Sequence, residues 1–193
     1  MNRNVRDADV QLLADIAATL EDDYVDETEE DPWAGSPFQW ILKRCSAQRG
    51  KIGKQLVAGW CAAKGLAVDR CADRGVDRVI GGRRIAIKFS RLWKTRKSSR
   101  LCKTGIYKFQ QLRDQNYEFA ICLGISPFDA KCWVISKDLL RGHVIGHTPQ
   151  HMGRRGRDTF WLSFPASDPP EWLGACGGTL AQAFSVLRRV TMP

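Results

Sequence analysis

The chain has 193 residues, enough for one domain with a full hydrophobic core, and its 44% hydrophobic content is ordinary for a globular protein. No apolar run approaches the roughly 18 residues of a membrane span, and the opening MNRNVRDADV lacks a signal peptide's apolar region, so membrane anchoring and export are not expected. Residues 1–31 hold eleven of the 21 acids and two of the 30 basic residues, which leaves 28 basic and 10 acidic groups in the remainder, an excess whose simplest partner is a polyanion.

Residues 7–20, DADVQLLADIAATL, fit an amphipathic helix with Val10, Leu13, Ile16, Ala17 and Leu20 along one side. The acidic run EDDYVDETEED (21–31) reads as a solvated linker, dividing an N-terminal segment, 1–31, from a single domain, 32–193. Ser36-Pro37 offers a cap and a first-turn proline for a helix through FQWILKRC. AQRGKIG reads as a basic connection. Gly53 to Lys64 is predicted as the next helix, with Leu56, Val57, Trp60 and Cys61 on one face and Gly65 at its end. Leu66 to Arg70 is the first predicted strand.

Val76 to Ser90, VDRVIGGRRIAIKFS, reads as a hairpin turning at Gly81-Gly82, since both central residues of a tight primed turn need φ > 0. A two-residue turn pairs Ile80 with Arg83, Val79 with Arg84, Arg78 with Ile85 and Asp77 with Ala86. Alternation then puts Lys88 on the same face as Ala86, with Ile85, Ile87 and Phe89 on the other. An aspartate, a lysine and an alanine converge on one patch. The plainest account of Asp77 and Lys88 is a cross-strand ion pair worth about 0–1 kcal/mol.

Lys88 to Lys108 contains eight basic residues and no acid, and SRLWKTRKSSRLCKTG is too polar for a core, so a phosphate-contacting loop is expected there. GIYKFQQLRDQ (105–115) reads as a helix burying Ile106, Phe109 and Leu112. YEFAICLGI (117–125) is a near-continuous apolar strand suited to the centre of a covered sheet, and KCWVIS (131–136) is the next strand. The order predicts an α/β domain, a mixed sheet flanked by helices. His143, His147 and His151 fall four apart, but Gly146 and Pro149 argue against the helix that would stack them as metal ligands. HMGRRGRDTFW is basic and glycine-loosened, and a C-terminal helix is predicted from about Thr179. The seven cysteines form no C-x-x-C pair and are odd in number, which fits a reduced, cytoplasmic protein without a disulfide framework.

Asp77, a short spacer and x-Ile-Lys88 in a basic α/β setting resemble the PD-(D/E)XK nuclease superfamily, and within it type II restriction endonucleases. FQQLRDQNYEFAICLGISPFDAKCWVI looks like the segment that follows their catalytic hairpin. The resemblance covers about residues 36–140, a restriction-endonuclease-like core, and leaves about 141–193 as a recognition part. It implies a Mg²⁺-dependent, sequence-specific double-stranded DNA endonuclease, acting as a homodimer and accompanied genetically by a DNA methyltransferase. Asp77, the acid two before the lysine and the Ile87 backbone carbonyl would hold the metal, and Lys88 would polarise the attacking water. Here the acid position is Ala86, and the positions comparable to an acid some members carry on the preceding helix are Lys54 and Gln55.

Three explanations of Ala86 stand. It replaces a glutamate in an inactivated chain, or Asp73 or Glu118 supplies the missing acid, or the protein is a DNA-binding pseudo-nuclease. A repair nickase or junction resolvase of the same fold is the remaining enzymatic alternative. Lys94, Arg96, Lys97, Arg100 and Lys103 are the candidate backbone-contacting residues, and His151, Arg154, Arg155 and Arg157 the candidates for base or phosphate contacts.

Overall fold

The structure, a computed structural model, describes residues 31–93, 105–150 and 158–191. The chain divides into two compact units, Met1–Ala34 and Gly35–Pro193. Of the first, residues 31–34 are described, a turn closed by Ala34 N–H on the Asp31 carbonyl at 2.9 Å. The helix expected over 7–20 lies outside the described residues. No described helix is long and apolar enough to cross a membrane.

The second unit begins with a single helical turn, α1 (Gln39–Leu42), entered through Ser36, whose hydroxyl accepts the Phe38 N–H at 3.1 Å. Helix α2 (Ser46–Ala63) follows and is longer than the sequence suggested, because AQRGKIG is its first two turns and not a connection. Its end is as expected. Gly65 takes φ +84°, its N–H bonds the Ala62 carbonyl, and Leu66 N–H reaches back to Cys61, satisfying carbonyls that the last turn leaves unpaired.

Eight strands are described: β1 (Val68–Asp69), β2 (Arg78–Ile80), β3 (Arg83–Arg91), β4 (Ile106–Leu112), β5 (Phe119–Ile125), β6 (Ala130–Ser136), β7 (Phe160–Pro165) and β8 (Gly177–Thr179). Helix α3 (Lys137–His143) follows β6, and α4 (Leu180–Thr191) closes the chain after a 3₁₀ turn, Glu171–Cys176. Six strands form one mixed sheet in the order β1-β2-β3-β5-β6-β8, with β3 and β5 parallel and every other pairing antiparallel. Helix α4 starts where expected: Thr179 and Gln182 exchange side-chain and backbone bonds, Thr179 N–H to Oε1 at 2.9 Å and Gln182 N–H to Oγ1 at 3.2 Å, a reciprocal cap.

The helix expected over residues 105–115 is instead strand β4, paired with β7 as a separate two-stranded ribbon. Tyr107 and Phe109 point inward in strand alternation, and a bulge before Leu112 inserts one residue, so Leu112 returns to the same face three positions later. That ribbon covers one face of the sheet, where Tyr107, Phe109, Phe164 and Trp133 form an aromatic cluster with Ala86, Ala120 and Cys122. Trp133 and Phe164 meet edge to face at 5.1 Å. Gly124 on β5 lets the ribbon settle, since a Cβ there would stand 2.6 Å from the Tyr107 ring. Helices α2 and α4 cover the other face, packing Val57, Cys61, Ala183 and Leu187 on Ile85, Ile87, Ile121 and Val134. The α/β class with a mixed, helix-flanked sheet is as the sequence indicated.

Candidate functional site

The β2–β3 hairpin has the register read from the sequence: Ile80 opposite Arg83, Val79 opposite Arg84, Arg78 opposite Ile85. Gly81 and Gly82 take φ +53° and +79°, the pair of positive values that the turn demands. The faces also agree, with Ala86 in the core cluster under the ribbon and Ile85 and Ile87 in the cluster under the helices.

Asp77 lies one residue before the start of β2, so the pairing with Ala86 expected from the sequence is not part of the ladder. Its N–H still bonds the Ile85 carbonyl at 2.8 Å, but its carboxylate takes the next rung, with Oδ2 accepting the Ile87 N–H at 2.7 Å. Oδ1 faces Lys54 of α2, Nζ to oxygen 2.5 Å. The aspartate backbone is held as well, since Arg78 donates to its carbonyl at 2.6 Å. Both carboxylate oxygens therefore have partners, one from the sheet and one from a helix.

Lys88 projects under the ribbon, and its ammonium donates to the Gln111 carbonyl at 2.7 Å. Gln111 is the bulged residue of β4, and its φ of +55° is unusual for a side chain larger than glycine. Its N–H is met by Gln150 Oε1 at 2.9 Å. Burial holds Lys88 below the ordinary lysine range, Asp77 pulls against this, and Lys54 and Arg113 add to the lowering. Lys54, Asp77 and Lys88 thus share one electrostatic neighbourhood. Beside Lys88 in the parallel register lies Cys122, whose thiol burial pushes up to about 12, so it stands there as a neutral hydrophobe.

Ala86 is 2% exposed and pairs with the fully buried Ala120. No second carboxylate compensates for it among the described residues. Glu118, one of the two acids proposed to do so, is engaged at the hairpin tip, where it accepts Arg84 N–H at 3.0 Å and pairs with Arg83 at 3.2 Å. Asp73, the other, accepts from Asn116 at 3.4 Å. Among the described residues no group of three or more His, Cys, Asp or Glu is placed to hold a metal ion. With one carboxylate, an alanine methyl in the second position and an ammonium already on Asp77, these residues do not fit a divalent cation. Ile87 enters the site through its N–H.

The nine candidate DNA-contacting residues, Lys94, Arg96, Lys97, Arg100, Lys103, His151, Arg154, Arg155 and Arg157, lie outside the described residues. At the edge of that basic tract the Arg91 guanidinium lies 4.2 Å from the Trp93 ring centroid and the Lys108 ammonium 5.8 Å from it. His143 ends α3 and stacks on Trp172 at 4.6 Å, and His147 lies in the turn that follows, so the two do not share a helix.

Sequence reasoning missed Lys54 and Gln111. At Lys54 the motif draws attention only to an acid that is lacking, and the usable signal is Gly53 beside it, which marks where α2 approaches the sheet. For Gln111 the sequence carries no signal beyond the interrupted alternation of IYKFQQL.

No protein-family model matches the chain, and no curated protein matches it. Among solved structures it is similar to a bacterial homing endonuclease, I-Ssp6803I, with a TM-score of 0.48 and 17% identity over 76% of this chain and 94% of that one.

Proposed function

We propose that this chain is a site-specific double-stranded DNA endonuclease of restriction type, silent in its present form because position 86 carries a methyl in place of a carboxylate. One observation carries the reading: Asp77, just before β2, and Lys88, on β3, share one electrostatic neighbourhood, while position 86, two before the lysine on its strand, holds a methyl where a second acid is needed. Cleaving a phosphodiester develops negative charge on phosphate oxygens, and a lysine fixed by Gln111 supplies positive charge without reorganising. Ala86→Glu would add the second acidic ligand that a hard cation such as Mg²⁺ requires, with Lys54 giving up Asp77 to it. The residues present lack that ligand, so no hydrolytic step is assigned to this form. A nuclease with one such centre per chain would cut both strands as a symmetric pair, and a restriction activity would require a methyltransferase to protect the host's own sites.

The test is Ala86→Glu, assayed on supercoiled plasmid with Mg²⁺. Linear product in discrete bands supports the reading, and open circles alone would point to a nickase of the same fold. No gain in cutting over the Ala86 form refutes it. One contact favours a second reading, a pseudo-nuclease that binds DNA without cutting: the Lys54 ammonium on Asp77.

A further inference from the structure

Lys54 is not a loose surface lysine that happens to meet a carboxylate. Gly53, the residue before it, is buried against β3, where a Cβ would come within 2.4 Å of the Phe89 Cβ. The backbone of α2 is therefore seated directly on the strand, and the next side chain is delivered to Asp77, just before the start of β2. Its ammonium lies 2.5 Å from Oδ1 while 41% of the side chain remains exposed, so one face of the contact is sealed and the other is accessible.

The second oxygen of Asp77 is taken by the Ile87 N–H. A metal ion approaching this carboxylate would have to displace Lys54 or break a sheet bond. An ammonium carries three donors, and one directed at Asp77 leaves two for another acceptor. Lys88 faces the same neighbourhood and feels both Asp77 and Lys54. Arg113, the other cation that Lys88 feels, is paired with Asp158 at 3.6 Å, so the two ammoniums and the Asp77 carboxylate leave a single positive charge, the complement of one phosphodiester.

We propose that Lys54 is the resident cation of this site, standing on Asp77 where a hydrolytic relative would need a divalent ion, and that with Lys88 it binds one DNA phosphodiester without metal. This rests on the site being directed at DNA. It goes beyond the nuclease reading in assigning the native chain a metal-independent contact made by a residue outside the Asp77–Ala86–Lys88 set.

The experiment measures affinity of the full chain for a duplex of about 20 base pairs, a span that a restriction-type protein would cover, across a salt series in EDTA and again in Mg²⁺. The native chain is expected to bind equally in both. Lys54→Gln should lose about tenfold in EDTA and flatten the salt slope by about 1. The loss should be the same in Mg²⁺, because a lone carboxylate beside Ala86 does not hold the ion, and the flattened salt slope is a response that a purely structural lysine would not produce. Lys54→Arg, which keeps the charge, should bind in EDTA as the native chain does. The proposal is overturned if the native chain needs Mg²⁺ to bind, or if Lys54→Gln leaves affinity and slope unchanged. Its failure is separable from that of the nuclease reading. An Ala86→Glu variant that does not cut refutes the nuclease alone, and native binding that collapses in EDTA refutes this proposal alone.

Discussion

Gly53→Ala tests the seating of α2 on β3, on which the position of Lys54 depends. Alanine is favoured over glycine inside a helix by about 1 kcal/mol, so an open site should gain that amount. Position 53 is not open, since the added methyl would meet Phe89 Cβ, Cγ and Cδ2 at 2.4, 2.5 and 2.7 Å, against an ordinary contact of 3.4–4 Å. The nearest atom belongs to the root of a side chain, which cannot swing away, so the helix must lift. Overpacking of this kind costs about 1–3 kcal/mol, and an overlap this deep belongs at the upper end. The net expectation is a loss of about 2 kcal/mol. Gly59, exposed on the same helix with nothing within 4 Å of its Cβ, is the control, and Gly59→Ala should gain about 1 kcal/mol. In thermal melts of a chain this size the two variants should separate by about 6–12 °C. Movement of both melts in the same direction would refute the close packing of α2 on β3 and the delivery of Lys54 with it.

The half-buried ammonium of Lys88 makes stability depend on alkaline pH. Burial sets its folded pKa below the unfolded value of about 10.4, so between the two the unfolded chain binds more protons and stability rises with pH. In urea melts from about pH 8 to about pH 10, the native chain should gain on Lys88→Met, and a constant difference would contradict the burial. Gln111→Gly should stay within about 1 kcal/mol of native, because the left-handed backbone suits glycine, while Gln111→Val should be about 1–2 kcal/mol less stable than the glycine variant by denaturant titration. Cys61, Cys122, Cys132 and Cys176 are buried, with thiols pushed upward, so in the native protein they should resist alkylation that labels exposed Cys45 at once. Mass spectrometry before and after denaturation distinguishes the two sets.

The turn and the register of β2 were legible in the sequence because their information is local, whereas Asp77, expected opposite Ala86, lies outside the ladder with its N–H on the Ile85 carbonyl. Gly81-Gly82 sets the turn, the turn sets the register, and the register sets which face Ala86 and Lys88 share. The strand β4 was misread for a physical reason. Ile106, Phe109 and Leu112 fall three apart, a helical spacing, yet Phe109 and Leu112 share a face because the bulge at Gln111 adds a residue between them. An inserted residue in a strand counterfeits the period of a helix. The start of α2 was obscured by Gly50 and Gly53, two poor helix formers, one of which is there for close approach to Phe89. Lys54 was not legible as a partner of Asp77 because that contact joins a helix to a strand end across 23 positions of sequence, a distance over which no periodicity speaks.

The rung between the Asp77 carboxylate and the Ile87 amide makes the site and the sheet one object. Whatever draws on that carboxylate from the solvent side polarises or loosens a hydrogen bond inside the fold, so the Ile87 amide proton becomes a built-in reporter of what Asp77 is touching. Its chemical shift and exchange rate register occupancy at a position where no label need be attached. Asp77→Asn keeps an oxygen that can accept the Ile87 N–H, whereas the same rung means that an Asp77→Ala substitution, made to remove a charge, also unpicks the last stitch of the hairpin. Loss of function in such a variant therefore has two origins, and the state of that single amide tells them apart.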